Sequence, residues 1–247
     1  MTVLPLIDSS SVSASSSSSS FESQLNSHPQ YINIINQYQN FIKTNNETSK
    51  IIERIMPNLT GETLKGDDKI NLRTKTLYFI NDEYLLHHQE IPPGSSSSTS
   101  SNGSNYSVTF FHLGHKLTGH KGIIHGGLLA TLLDELTCRL AFLNFENQRG
   151  VTANLNIDYK QPTIANQFIM IKCIVLEKSG RKCWVKGEVY KMNNQQEEEG
   201  EGEGEGEGEG EGDEVDDDYD LIIDKPENLL TSCKVLVIEP KWVDKLT

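Results

Sequence analysis

Residues 119–143 read GHKGIIHGGLLATLLDELTCRLAFL. A glycine-punctuated loop runs into the longest apolar periodic stretch of the chain, which predicts one buried helix of about 18 residues, roughly 27 Å long. At the helical period Leu128, Leu129, Leu132, Leu133, Leu136, Leu140 and Leu143 share one broad stripe that needs an apolar cover such as a sheet. The other side carries Gly127, Ala130, Thr131, Asp134, Cys138 and Ala141. Small side chains let another backbone approach, and Asp134 is the single carboxylate among them. A helix aspartate is most often simply solvated, but a solvated face would also carry Lys, Glu and Gln.

The start of this helix matters equally. Gly126 and Gly127 leave first-turn N–H groups uncovered by side chains at the positive end of the helix dipole, where an oxyanion is stabilised. Two glycines alone would also serve plain close packing. Their weight comes from Asp134 and from the strands that follow.

The surrounding chain has 247 residues and 36% hydrophobic content. Three biased stretches account for much of that low figure: serines within 9–20, Gly94 to Ser107, and a Glu-Gly run from Glu197. Without them an ordinary single domain remains, large enough to bury its own core. The net charge of −13 is equally uneven, because 16 of the 35 acidic residues lie between Glu197 and Asp224, leaving 19 against 22 Lys and Arg. The body is mildly basic. That suits an anionic small ligand, while the lack of a dense basic patch with interleaved aromatics argues against nucleic acid.

Cys138, Cys173, Cys183 and Cys233 form no CxxC pair and fall in predicted helix or strand, which reads as reduced, buried thiols of an intracellular protein. No secretory h-region and no apolar run of bilayer length is present, so no stable membrane insertion is expected. The first Lys or Arg is Lys43, which gives a mitochondrial presequence no support from charge. The compartment, cytoplasm or mitochondrion, stays open.

In chain order, residues 1–20 are expected to be a disordered Ser-rich tail and 21–71 a helical extension. Within the extension a helix starts at Ser27–Pro29 and buries Tyr31, Ile34, Ile35, Tyr38, Phe41 and Ile42, and a shorter one runs from Ser49 to Met56. Residues 72–247 form the main domain. Its predicted strands are Lys75 to Ile80, Tyr84 to His88, Tyr106 to Leu113, Val151 to Lys160, Phe168 to Lys178, Lys182 to Met192 and Leu230 to Ile238. Low-complexity loop inserts, both expected to be disordered, interrupt it at about 94–105 and 194–220. Along Val151 to Lys160, alternation sets Val151, Ala153, Leu155, Ile157 and Tyr159 on one side and Thr152, Asn154, Asn156 and Asp158 on the other.

His112, His115, His120 and His125 crowd one stretch, yet their spacing matches no compact zinc pair on one helix and no cysteine joins them, so no metal is assigned. His120 and Lys121 read as loop surface. His125 either contacts a ligand carbonyl or supports the loop.

The segments LTGHKGIIHGGLLATLLDE (117–135) and VTANLNIDYKQP (151–162), with SGRKCWVKGEVY (179–190) as a weaker third, resemble the hotdog-fold thioesterases, in particular the PaaI-like branch. The resemblance covers roughly Leu72 to Lys241. It implies an α+β hotdog fold, an antiparallel sheet wrapped around one long central helix, and a homodimer or dimer of dimers with acyl-CoA sites between subunits. It also implies an acyl-CoA thioesterase of fatty acid metabolism that needs no cofactor. By position, Asp134 matches the catalytic acid/base, His125, Gly126 and Gly127 match the HGG positions, and Thr152 matches a threonine that places the attacking water. Asn154, on the same side as Thr152, joins the substrate contacts, and Lys121, Arg181 and Lys182 are candidates for the CoA phosphates.

Helix geometry points to the dimer independently. Asp134 lies seven residues beyond Gly127, roughly 10.5 Å along the axis, too far to serve a carbonyl held at that helix's own start. A partner's helix would supply the carboxylate. Whether Asp134 acts as general base or as nucleophile stays open. The alternatives are a non-catalytic acyl-CoA-binding hotdog module and an interaction protein acting through the Ser- and Glu-rich segments. A hydratase of this fold needs a different acid/base pair, which is not found.

Overall fold

The computed structural model describes residues 16–44, 58–80, 105–193 and 223–242. The expected helix at Ser49–Met56, the strand at Tyr84–His88 and the two inserts, Asn105 apart, lie outside the described residues. The helices are α1 (Ser16–Ser27), α2 (Pro29–Thr44) and α3 (Gly126–Phe142). The strands are β1 (Ile70–Arg73), β2 (Leu77–Phe79), β3 (Tyr106–Leu113), β4 (Thr118–His120), β5 (Ile123–Ile124), β6 (Val151–Tyr159), β7 (Gln167–Ser179), β8 (Lys182–Lys191) and β9 (Leu229–Ile238).

One antiparallel sheet runs β1-β3-β7-β8-β9-β6, with β2 also on β3, and β4 with β5 form a separate pair. The apolar stripe of α3 lies on its inner face, as the leucine spacing requires. Leu128, Leu129, Leu132, Leu133, Leu136 and Leu140 are buried with Phe111, Ile169, Val185 and Val235, while Leu143 at the helix end is half-buried. Each fully buried leucine contributes about 1.5–3 kcal/mol, so α3 and the sheet hold each other.

On the outer face α1 and α2 bury Leu25, Tyr31 and Ile35 against Leu72, Phe79, Val108, Phe110 and Met170. β3 is therefore covered on both sides, which is why its sequence SVTFFHL is buried without a break. α1 begins at Ser16, inside the residues read as tail. Leu25 and Phe21 dock on the sheet layer, and serine tolerates the turn preceding them. Ser27 closes α1 by donating its hydroxyl to Gln24 O at 3.0 Å, and α2 starts at Pro29 as expected. β1 spans the 71/72 boundary drawn from sequence, so the sheet takes in residues assigned to the extension.

His112 belongs to this outer layer. Its ring lies between Phe21, at 4.1 Å, and Phe168, at 4.8 Å, and its Nδ1 is 2.9 Å from Asn71 Nδ2. Burial pushes its pKa down to about 4, against 6.5 in the unfolded chain. Between those values the unfolded state binds the extra proton, so stability is retained above the window and lost as pH falls through it. The slope reaches about 1.4 kcal/mol per pH unit. Denaturant titrations from pH 7 to 4 should show this loss, and His112→Phe should flatten it.

Candidate active site

β6 is an edge strand whose only sheet partner among the described residues is β9. The register with β9 slips between Thr152 and Asn154: Thr152 faces Val237, Asn154 faces Leu236 and Leu155 faces Val235. Val235 and Val237 are buried core residues, so Thr152, Leu155, Ile157 and Tyr159 point toward α3 while Asn154, Asn156 and Asp158 point away. This corrects the regular alternation expected from sequence, which put Thr152 with Asn154. A bulge adds one residue and flips the face of everything before it.

The flip brings Thr152 to the functional side of α3. Its hydroxyl donates to Asp134 Oδ1 at 2.5 Å, and Cys138 Sγ lies 3.0 Å from Thr152 Oγ1. Thr152 has one proton to give, and Asp134 takes it, so the thiol is the donor to Thr152. Burial pushes the Cys138 thiol up to about 12, which keeps that proton in place. Asp134, Thr152 and Cys138 thus form one directed chain ending on the carboxylate.

At the start of α3 the structure selects between the two glycines. His125 is the N-cap, and its Nδ1 accepts from Gly127 N at 2.9 Å. The Leu128 N–H donates to His125 O at 2.9 Å. Gly127, expected to offer a free donor, is therefore engaged, and the first-turn N–H without a partner among the described residues is that of Gly126. Both positions are tight: a Cβ at Gly127 would lie 2.9 Å from the His125 ring, and one at Gly126 would lie 3.1 Å from the Tyr159 ring.

A cleft of about 540 Å³ opens at this helix start, lined by Gly119, His125, Gly126, Gly127, Leu129 and Tyr159 among others. Lys160 adds positive charge to it and His120 an imidazole, and its lining contains no carboxylate. Asp134 is eight residues along α3 from Gly126, about 12 Å, and does not reach it. Exposed Lys121 sits in the adjoining loop. Arg181 and Lys182 are elsewhere: Lys182 pairs with Ile238, which pairs with Val151, whereas the cleft is at the Tyr159 end of β6, roughly 26 Å along the strand. The structure does not bring those two cations, or outward-facing Asn154, to the cleft of the same chain.

The other three thiols are buried and shifted like Cys138: Cys183 to about 12, Cys233 to about 11 and Cys173 well above its ordinary value, each by burial first. Little thiolate exists at pH 8, so a native disulfide-reagent titration should be slow at all four cysteines, with full reaction only after unfolding.

The thioesterase superfamily model matches residues 121–198, the segment that holds α3 and β6 to β8. Over that third of the chain the sequence is similar to the thioesterase superfamily. An uncharacterized protein of Schizosaccharomyces pombe is 37% identical over 90 residues, 36% of this chain and 51% of that one. The uncharacterized mitochondrial membrane protein FMP10 of Saccharomyces cerevisiae is 42% identical over 84 residues, 33% of this chain and 34% of that one. The acyl-coenzyme A thioesterase THEM4 of Rattus norvegicus is 36% identical over 80 residues, 32% of this chain and 33% of that one. The matched region thus spans a third to a half of those relatives. Among solved structures, the Escherichia coli PaaI protein covers 55% of this chain and 72% of its own at 10% identity and a TM-score of 0.38.

The sheet wrapped on α3 is the α+β hotdog fold that the thioesterase resemblance implied. Two residues beside the thioesterase motifs escaped the sequence. Glu135 accepts from Arg73 at 3.3 Å, Arg139 at 3.1 Å and the Thr60 hydroxyl. Tyr159 donates to Gly126 O at 2.8 Å. Glu135 follows Asp134 directly in the sequence, and only its contacts with Arg73 and Arg139 set it apart. Tyr159 had a signal, its place on the inward side of β6, but nothing in the pattern said that it reaches the helix start.

Proposed function

We propose that the protein hydrolyses acyl-CoA thioesters as a homodimer, with each site built from the helix start of one subunit and the Asp134–Thr152 pair of the other. The observation that carries this is the division of one chain into two half-sites: a cleft with a free Gly126 N–H and no carboxylate, and an oriented carboxylate outside that cleft. The match to the thioesterase superfamily and the similarity to THEM4, a relative named an acyl-coenzyme A thioesterase, support the chemistry. Edge strand β6, with most residues exposed beside Asp134, supports the interface.

In this mechanism the Gly126 N–H polarises the thioester carbonyl. Asp134 takes a proton from water as its oxygen attacks the carbonyl carbon, and the electron pair moves to an oxyanion held by the N–H. Collapse breaks the C–S bond, and the CoA thiolate takes the proton, giving free acid and CoA. Direct attack by Asp134 through a mixed anhydride reaches the same products; single-turnover hydrolysis in labelled water separates the two by label in the carboxylate. An antiparallel β6–β6 pairing would carry the partner's Val151 end, with Arg181 and Lys182, toward this cleft's charged rim. Lys121 and Lys160 of the cleft's own chain complete a cationic setting for CoA phosphates. Two relatives are named as mitochondrial, which supports placing this protein there.

The test is release of free thiol from acyl-CoAs of short to long chain by the purified protein. Chain-length-dependent release is the expected result. A folded, dimeric protein that binds acyl-CoA without releasing thiol would instead be a binding module.

A further inference from the structure

We infer that Tyr159 is a positioning residue for the carbonyl-polarising N–H of Gly126, an assignment that rests on the thioester reading above. The Gly126 carbonyl and the Gly127 N–H belong to one peptide unit, and both of its polar atoms are held by side chains. Tyr159 donates to the oxygen at 2.8 Å, and His125 Nδ1 accepts from the nitrogen at 2.9 Å. The unit is clamped from β6 on one side and from the cap on the other. With Leu128 N–H bonded to His125 O, the first turn keeps one orientation and presents the remaining donor, Gly126 N–H.

The phenol's setting argues against a packing role. Tyr159 is 54% exposed and lines the cleft, so its ring adds little to the core. It lies close enough to Gly126 that a Cβ there would meet the ring at 3.1 Å. Phenylalanine would fill the same space, and the hydroxyl alone makes the bond. Because the bulge turns Thr152 to the face that Tyr159 already occupies, β6 touches the machinery of α3 twice: Thr152 at the carboxylate and Tyr159 at the donor. One strand thereby fixes the geometry of both half-sites that its subunit contributes.

Losing the hydroxyl lets the Gly126–Gly127 peptide rock. A donor aimed at a developing oxyanion matters more in the transition state than in bound substrate, so kcat suffers and KM does not. Tyr159→Phe in the full chain should lower kcat for acyl-CoA hydrolysis about tenfold with KM within about twofold. Amide hydrogen exchange across residues 120–132 should quicken while the Tm holds. An active wild-type protein with unchanged kcat in Tyr159→Phe overturns the positioning role and leaves the thioesterase reading intact. A kcat loss explained by a lowered Tm, or without faster exchange, also overturns it. No thiol release by the wild-type protein removes the thioesterase reading and this role together.

Discussion

Asp134→Asn should lower acyl-CoA turnover about 10²–10⁴-fold and leave the fold intact. Asparagine keeps an oxygen that can accept from Thr152, and Asp134 is only half-buried, so the substitution removes basicity with little change in packing. Thr152→Val should cost less, about tenfold, because the carboxylate stays and only its orientation is lost. Subunit mixing makes the prediction sharper. Asp134→Asn and Gly126→Val chains, each inactive alone, should regain about a quarter of wild-type turnover when mixed and re-equilibrated, since half the dimers carry one intact site of two. No recovery, in a mixture shown to exchange subunits, would place donor and carboxylate in one chain. Unchanged turnover in Asp134→Asn alone would end the assignment.

Legibility in the sequence followed the range of the interactions. The leucine period of α3 has a burial meaning within one element, so six of its seven leucines are where the pattern puts them. The strands β3 and β9 were readable as apolar runs for the same reason. The bulge before Asn154 was not: VTANLNIDY alternates cleanly, and the slip exists only in its pairing with β9. That single slip puts on opposite faces the two residues, Thr152 and Asn154, that the pattern puts on one. The engagement of Gly127 was hidden likewise, since HGG shows two uncovered amides, and only the folded-back His125 ring reveals that one is capped. Glu135 needed contacts from Thr60 and Arg73, 75 and 62 residues away in sequence, which no local pattern carries.

Glu135 supplies the contrasting result. Glu135→Gln should destabilise the protein by about 3–5 kcal/mol, seen as a Tm lower by roughly 10 °C, with Asp134→Asn shifted far less. Asp134 and Glu135 are adjacent carboxylates on one helix, but 100° of rotation sends them to different neighbours. Glu135 is 11% exposed and shared by Arg73 and Arg139, whose side chains are 12% and 7% exposed. A neutral amide takes from both guanidiniums a carboxylate that offsets part of their desolvation, and that penalty is what breaking a buried pair releases. The Arg73 contact also ties β1 to the middle of α3, so the loss should loosen the sheet edge near Ile70–Arg73 and be visible there in hydrogen exchange. Turnover per folded molecule should stay within a few-fold, because Glu135 touches neither Thr152 nor the helix start. Equal Tm losses in the two variants would show that the carboxylates share one role, and the division between a chemical Asp134 and a structural Glu135 would fall.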